Sequence, residues 1–372
     1  MNALLRSWAA PSAWLLALPL VLCAACGDEK KAPPPEADAG AETGPQKPVL
    51  GGKLAAAVKA AESAQAAAQA RSGQEGPPEA GIFAPGAADK VAAAGAPTRI
   101  ELLGEGAEPR VSLAYAPGDD EQRETVSLIV RAQGGGIPLE YSLALKLDKP
   151  KGDKGKDDKK AEAPAAGAPA AGFRVVARLA GIGVGPQIPK DLGDQLAKLK
   201  GSEIRYLLSP QGVISDSSIT LAKGADANLE LIVRQLVEAV GLLTPPLPSK
   251  PVGVGAYWMA TDRLTSAVVD VVRYRVFRVE KIEKDRATLN LEVRQYVAKS
   301  EVDAGGGQKL SAVQFDSLGK GKVDWTAAGL MPARGEGQVR MILDGKVATG
   351  QQGRLQTEFQ AKVAAVEPDR KK

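Results

Sequence analysis

The two cysteines of the chain stand three positions apart, Cys23-Ala24-Ala25-Cys26, where an apolar run ends and the polar stretch Gly27-Asp28-Glu29-Lys30-Lys31 begins. A thiol can act as a nucleophile, bind a metal, or carry a lipid as a thioether. Its partners in the first two roles are mostly imidazoles, and the 372 residues contain no histidine. A Ser-His-Asp or Cys-His site therefore cannot be built, nor can a zinc site of the usual His/Cys kind. Hydrolysis by carboxylates alone, or a magnesium or calcium site, stays open to the Asp and Glu residues.

Other short patterns carry little chemistry. Ser317-Leu318-Gly319-Lys320 matches the Ser-x-x-Lys of serine acyl enzymes, but that chemistry needs a helix to hold the two side chains together, and Gly319 and Gly321 predict a turn. Gly181-Ile182-Gly183-Val184-Gly185 lacks phosphate-loop spacing, and Pro186 stands where a helix should open. Asp119-Asp120-Glu121 has no calcium-loop spacing around it and reads as a solvated turn, and Pro248 to Pro251 reads as a rigid connector. No catalytic residue, cofactor or metal is expected, and the chain is read as a non-enzyme. With 48 basic residues against 44 acidic ones, the net charge of +4 gives no electrostatic reason for a nucleic-acid partner.

The remaining use of a thiol fits the leader. Met1 to Ala25 has Arg6 in a short n-region, an apolar stretch from Ala9 to Leu22, and small residues before a cut. That stretch is about 14 residues long and holds Pro11 and Pro19, short for a bilayer core of ~30 Å. Cys23-Ala24-Ala25-Cys26 resembles the bacterial lipoprotein signal, with Cys23 standing where Leu is usual. The resemblance implies removal of residues 1–25, acylation of Cys26, and membrane attachment through its acyl chains. Gly27, in place of an Asp, leans the expected location towards the outer membrane, facing the periplasm.

Behind this leader, residues 26–97 are rich in Ala, Pro and Gly and read as a disordered tether. From Arg99 the pattern changes to alternation, which predicts a mainly β fold of antiparallel sheets, half-barrel or sandwich-like. Strands are expected at 110–115, 125–130, 139–147, 173–179, 204–208 and 213–219, with a disordered Lys/Asp/Ala/Pro loop over 148–172. Residues 226–243 are the exception: Leu229, Ile232, Val233, Leu236, Val237, Val240 and Leu243 recur at helical spacing. Glu230, Arg234 and Glu238 lie opposite, with Asp226 as cap. Strands are expected again at 268–279, 287–297, 310–315, 322–326, 337–343 and 355–363. This gives two β blocks, 98–244 and 245–366, readable as related subdomains bridged by the helix, and a charged tail at 367–372.

Two motifs resemble an uncharacterised family of bacterial lipoproteins, a domain of unknown function, over roughly residues 100–365. Gly201, Tyr206, Gly212 and Val213 match its hairpin. Leu247, Pro248, Lys250, Pro251, Val252, Val254, Gly255 and Trp258 match its proline-rich signature, where Ala256 replaces the usual Asp. The family implies export and architecture but no mechanism. The function expected is a non-catalytic, lipid-anchored envelope module that binds a lipid or another apolar ligand. The alternative is a structural or assembly protein docking a partner at the envelope.

Overall fold

The computed structural model describes Pro78 and residues 80–366, apart from residues 133–134, 149–171, 306–307 and 348. The leader, Cys26, most of the tether, the 149–171 loop and the 367–372 tail lie outside the described residues. In chain order the strands are β1 (Arg99–Gly104), β2 (Gln122–Ala132), β3 (Gly135–Leu147), β4 (Phe173–Val184), β5 (Glu203–Leu208) and β6 (Ile214–Thr220). They continue with β7 (Tyr257–Ser266), β8 (Val269–Glu283), β9 (Arg286–Val297), β10 (Glu301–Gly305), β11 (Gln308–Thr326), β12 (Arg334–Val347) and β13 (Gln352–Ala365). The helices are α1 (Ala87–Val91), α2 (Lys190–Ala197) and α3 (Glu230–Leu243).

All thirteen strands join one open sheet in the order β1-β7-β8-β9-β11-β12-β13-β2-β3-β4-β5-β6, with β10 paired to β11. Each ladder is antiparallel, as the period-2 patterning predicts. In β3, Leu139, Tyr141, Leu143 and Leu145 are buried while Glu140 and Ser142 are exposed. The two expected blocks are not separate subdomains. β13 returns to pair with β2, Phe359 opposite Val130, and β1 leaves the first block to pair with β7, Ile100 opposite Ala260.

Helix α3 forms where the 3.6-residue pattern places it. Asp226 caps a 3-10 turn (Ala227–Leu229) by accepting from Asn228 N at 2.9 Å. Val233, Leu236, Ala239, Val240, Leu242 and Leu243 are buried, each full burial contributing roughly 1.5–3 kcal/mol for the larger side chains. Strands β2, β6, β12 and β13 all contact α3. Tyr141 on β3 donates to Ile232 O at 3.5 Å, and Arg275 on β8 donates to Gly241 O. Contacts from both halves mean that the sheet curls around the helix. Its seat is on β12, at Gly335 and Gly337, where a Cβ on Gly335 would lie 3.7 Å from Leu243. A Cβ on Gly337 would lie 3.2 Å from Leu243 and 3.3 Å from Leu242.

Several expectations are corrected. Residues 110–115 form one isolated bridge, Val111 to Val252, because Pro109 and Pro117 interrupt the ladder and Tyr115 turns inward. Residues 310–326 are one strand, with Ser317 buried and Lys320 on the opposite face, so Ser-x-x-Lys is not a site. Glu238 is not on a solvent face; it accepts from Ser266 Oγ at 2.5 Å.

The tether also ends earlier than expected, because residues 80–97 belong to the fold. β9 and β11 pair only between Gly319–Val293 and Thr326–Arg286, then diverge. Residues 80–83 fill the gap: Phe315 N donates to Ala80 O (2.8 Å), Val297 N to Gly81 O (2.9 Å), and Phe83 N to Val297 O (2.9 Å). Phe83 meets Tyr296 edge-on at 6.1 Å, and Tyr296 meets Tyr274 at 5.7 Å. Asp89 on α1 pairs with Arg263, which Asp270 also holds through two bonds of 2.9 Å. The Pro/Ala/Gly composition concealed this strap, whose partners lie far along the chain.

Candidate functional site

Three charged residues on neighbouring strands pin the C-terminal end of α3. Asp262 on β7 accepts from Arg273 Nε and Nη2, both at 2.9 Å, and from Arg275 Nη2 at 2.8 Å. Arg275 Nη1 donates to Gly241 O at 2.5 Å and Thr244 O at 3.3 Å, placing a cation on the negative end of the helix dipole. Burial works against the Asp262 carboxylate, but the two guanidinium groups outweigh it and hold its pKa below the ordinary value. Burial also lowers Arg275, to about 10, with Asp262 opposing.

Beyond this clamp lies a nest of buried polar groups around Tyr115. Its hydroxyl donates to Pro245 O at 3.3 Å, and its ring meets Trp325 edge-on at 5.7 Å. Burial raises the Tyr115 pKa well above its usual value; the Tyr206 hydroxyl raises it further, and Arg275 acts in the opposite direction. Tyr206 is itself raised by burial and then by Glu124. Glu124, 4 % exposed, is pushed up to about 8 by burial. Four buried side-chain atoms have no protein hydrogen-bond partner among the described residues, Glu124 Oε2, Tyr206 OH, Thr244 Oγ1 and Arg275 Nε, and a fifth, Trp325 Nε1, has the Tyr115 hydroxyl beside it at less than ideal geometry. All five sit on residues of this nest or its border with the clamp. Buried polar atoms are normally satisfied, each exception costing about 1–3 kcal/mol, so their concentration in one place marks a site.

Tyr206 also lines a small apolar cavity of about 20 Å³ between α3 and strands β3 to β6, walled by Leu143, Leu145, Ile204, Val237 and Val240. Met331 closes it. The same Met331 lines an outer depression of about 570 Å³ that includes Glu124, Thr326 and Val366. Leu330 and Met331, in the β11–β12 connection, are both buried, and Met331 is the one that separates the cavity from the depression. Gln122 holds this connection from both sides, donating to Ala328 O at 2.7 Å and accepting from Leu330 N at 2.8 Å. The cavity thus presents only apolar surface, with Met331 of the β11–β12 connection in its wall and the polar groups of the nest outside it.

Glu238 is the other buried carboxyl raised by burial, with Ser266 and Arg273 acting against the shift. Its neighbours are not those of Glu124, so the two do not form an acid–base pair. No group of three metal-binding side chains occurs among the described residues, and no helix there is long and apolar enough to cross a membrane.

The lipidation candidate, Cys26, lies outside the described residues. Of the signature residues, Trp258 is fully buried, stacks on Phe277 at 5.8 Å, and donates from Nε1 to Pro246 O at 2.6 Å. The motif containing it therefore closes the base of the core beside the end of α3. Tyr206 belongs to the nest, and Gly212 abuts it, since a Cβ there would lie 2.4 Å from the Tyr115 ring and 2.5 Å from Pro245 O. Glu124, Arg275, Trp325 and Met331 had gone unnoticed; an acidic residue at an inward position of β2, where Val126 and Leu128 follow, was the available signal. No protein-family model matches the chain, and no curated protein is significantly similar to it, so the lipoprotein-family resemblance rests on its motif residues alone.

Proposed function

We propose that this chain is a lipid-anchored lipoprotein of the bacterial envelope whose sheet-and-helix domain binds an acyl chain or a similar apolar ligand. The observation that carries this reading is the cavity under α3: an apolar space with Tyr206, one of the unpartnered polar groups, in its wall and Met331 as its stopper. A well-packed core has no use for unpaired donors beside an apolar void, whereas a site for an amphipathic ligand needs both. At about 20 Å³ the cavity holds no chain while the stopper is in place, so occupancy requires the 327–333 connection to move outward.

Anchoring is supported by the leader: acylated Cys26 would tie the domain to the membrane through the tether, on the periplasmic side of the outer membrane. We read the protein as binding rather than converting its ligand. Intact mass of the membrane-extracted chain tests the anchor, with an acyl-sized increment expected on the wild type and absent in Cys26→Ala. Native mass spectrometry of the Cys26→Ala chain tests the ligand. Co-purifying lipid is the expected result. A clean unliganded mass that palmitic acid does not change would refute the binding reading, and a stoichiometric protein in its place would favour an assembly role.

A further inference from the structure

We infer that the strap of residues 80–97 is a latch for α3: docked on the outside of the β7–β8 hairpin, it holds the C-terminal end of the helix on the inside, and release of one loosens the other. The coupling holds whether or not the cavity takes a ligand. Its basis is the alternation of a strand, whose successive side chains point to opposite faces, so that a strand gripped on both faces does not shift on one alone. On β7 the inward Asp262 and the outward Arg263 are consecutive. Asp262 accepts from Arg273 and Arg275, which hold the helix end, while Arg263 donates to Asp89 and, at 3.4 Å, to Ala92 O, both on the strap. The Arg263 side chain is only 3 % exposed.

The same arrangement recurs on β8, where the outward Tyr274 stands between the inward Arg273 and Arg275. The Tyr274 ring meets Tyr296, and Tyr296 meets Phe83 of the strap. The tip of the hairpin is also gripped from both sides. Ser266 Oγ donates to Glu238 of α3 at 2.5 Å, and Asp270 holds the strap-bound Arg263 through two bonds of 2.9 Å. Beyond β7 the sheet continues only into β1, a strand of six residues, so the hairpin lies near an edge and is free to move as a unit. It is the one element that both the strap and the helix end bias, which is the physical requirement for coupling the two.

Native-state amide exchange on the full-length Cys26→Ala chain tests this. The strap is read at the amides of Phe83 and Val297, which bond across it, and the helix end at residues 239–244, with the β4–β5 ladder as reference. Phe83→Ala combined with Asp89→Asn acts on the outer side of the hairpin only. Exchange at 239–244 should nevertheless rise about tenfold alongside that of the strap, inside the roughly 5- to 150-fold that coupled sites show, while the β4–β5 ladder stays unchanged. Coupling is reciprocal, so Arg275→Lys, which keeps the charge but loses the fork shared by Asp262 and the helix carbonyls, should speed exchange at Phe83 and Val297. A strap that opens while 239–244 stay protected would overturn the latch, as would a helix end loosened by Arg275→Lys beneath a strap that stays closed. A rise shared equally by the β4–β5 ladder, which means global opening in place of a local link, would overturn it too. Where the double variant leaves the strap closed, the Arg275→Lys chain alone decides.

Discussion

Replacing Asp262 by Asn is expected to cost the fold about 3–5 kcal/mol, the usual penalty for breaking a buried ion cluster from one side. The carboxylate, 12 % exposed, takes three charge-assisted bonds of 2.8–2.9 Å from two arginines whose own side chains are 7 % and 4 % exposed. Asn retains one acceptor and presents an amide donor to a guanidinium, leaving Arg273 and Arg275 without their shared counter-charge. At about 2–4 °C per kcal/mol for a domain of this size, the melting midpoint should fall by roughly 6–20 °C. The two tryptophans beyond the leader, Trp258 and Trp325, are both buried beside the end of α3, so their emission should shift red as the helix loosens. The pH dependence has a definite sign. Because Asp262 is held below its ordinary value of 3.8, its contribution is present above that value and lost as pH falls through the lower folded one. The variant should therefore lack that part of the acid limb. Thermal melts of the Cys26→Ala chain with and without D262N measure this. A midpoint change under about 2 °C with unmoved emission would refute the clamp. A companion change, Asp262→Leu with Arg273→Met and Arg275→Met, should recover much of the loss, since an apolar cluster removes the desolvation cost as well.

Glu124, raised from 4.5 to about 8, binds its proton more tightly in the fold than in the unfolded chain, so stability should fall as pH rises across that window. Glu124→Gln should flatten the slope between urea midpoints at pH 5 and pH 8.5, and parallel slopes would contradict the assignment. Met331→Ala should lose about 2–5 kcal/mol of stability and bind hexadecane more tightly. A loss without tighter binding would leave Met331 a packing residue only. Gly81→Val should release the strap, since a Cβ there would sit 2.0 Å from Phe315 O and its φ is +72°. Limited proteolysis should then cut within residues 80–97, and an unchanged digest would show that the strap is not held as described.

Much of the fold was readable because alternation and helical spacing are local signals. LEYSLALKL exposes one polar face and became β3, and the Leu229 to Leu243 spacing became α3 with Asp226 as its cap. What stayed hidden depends on distant partners. The glycines at 319 and 321 read as a turn in isolation, yet they sit in a continuous strand and leave room for the close approach of β12, which no residue near them in sequence reveals. β1 joins β7 instead of the strands that follow it, so the division at 244–245, natural in the sequence, has no counterpart in the hydrogen bonding.

The clamp and the nest were hidden for a sharper reason, visible in β8. Its inward set is Val269, Val271, Arg273, Arg275, Phe277 and Val279; its outward set includes Val272, Tyr274 and Val276. On the usual rule the face carrying two arginines would be assigned to solvent. The rule fails because both faces are covered: α3 and the core lie on one, and the strap with Phe83 and Tyr296 lies on the side of Tyr274. With solvent on neither side, alternation no longer says which face is inside, and the arginines become legible only with Asp262, 11 positions from Arg273 and 13 from Arg275. The strap and the buried charges are linked in this sense. Covering the outer face of β8 takes away its solvent-facing side, and the charged pair inside then serves to hold the helix that walls the cavity.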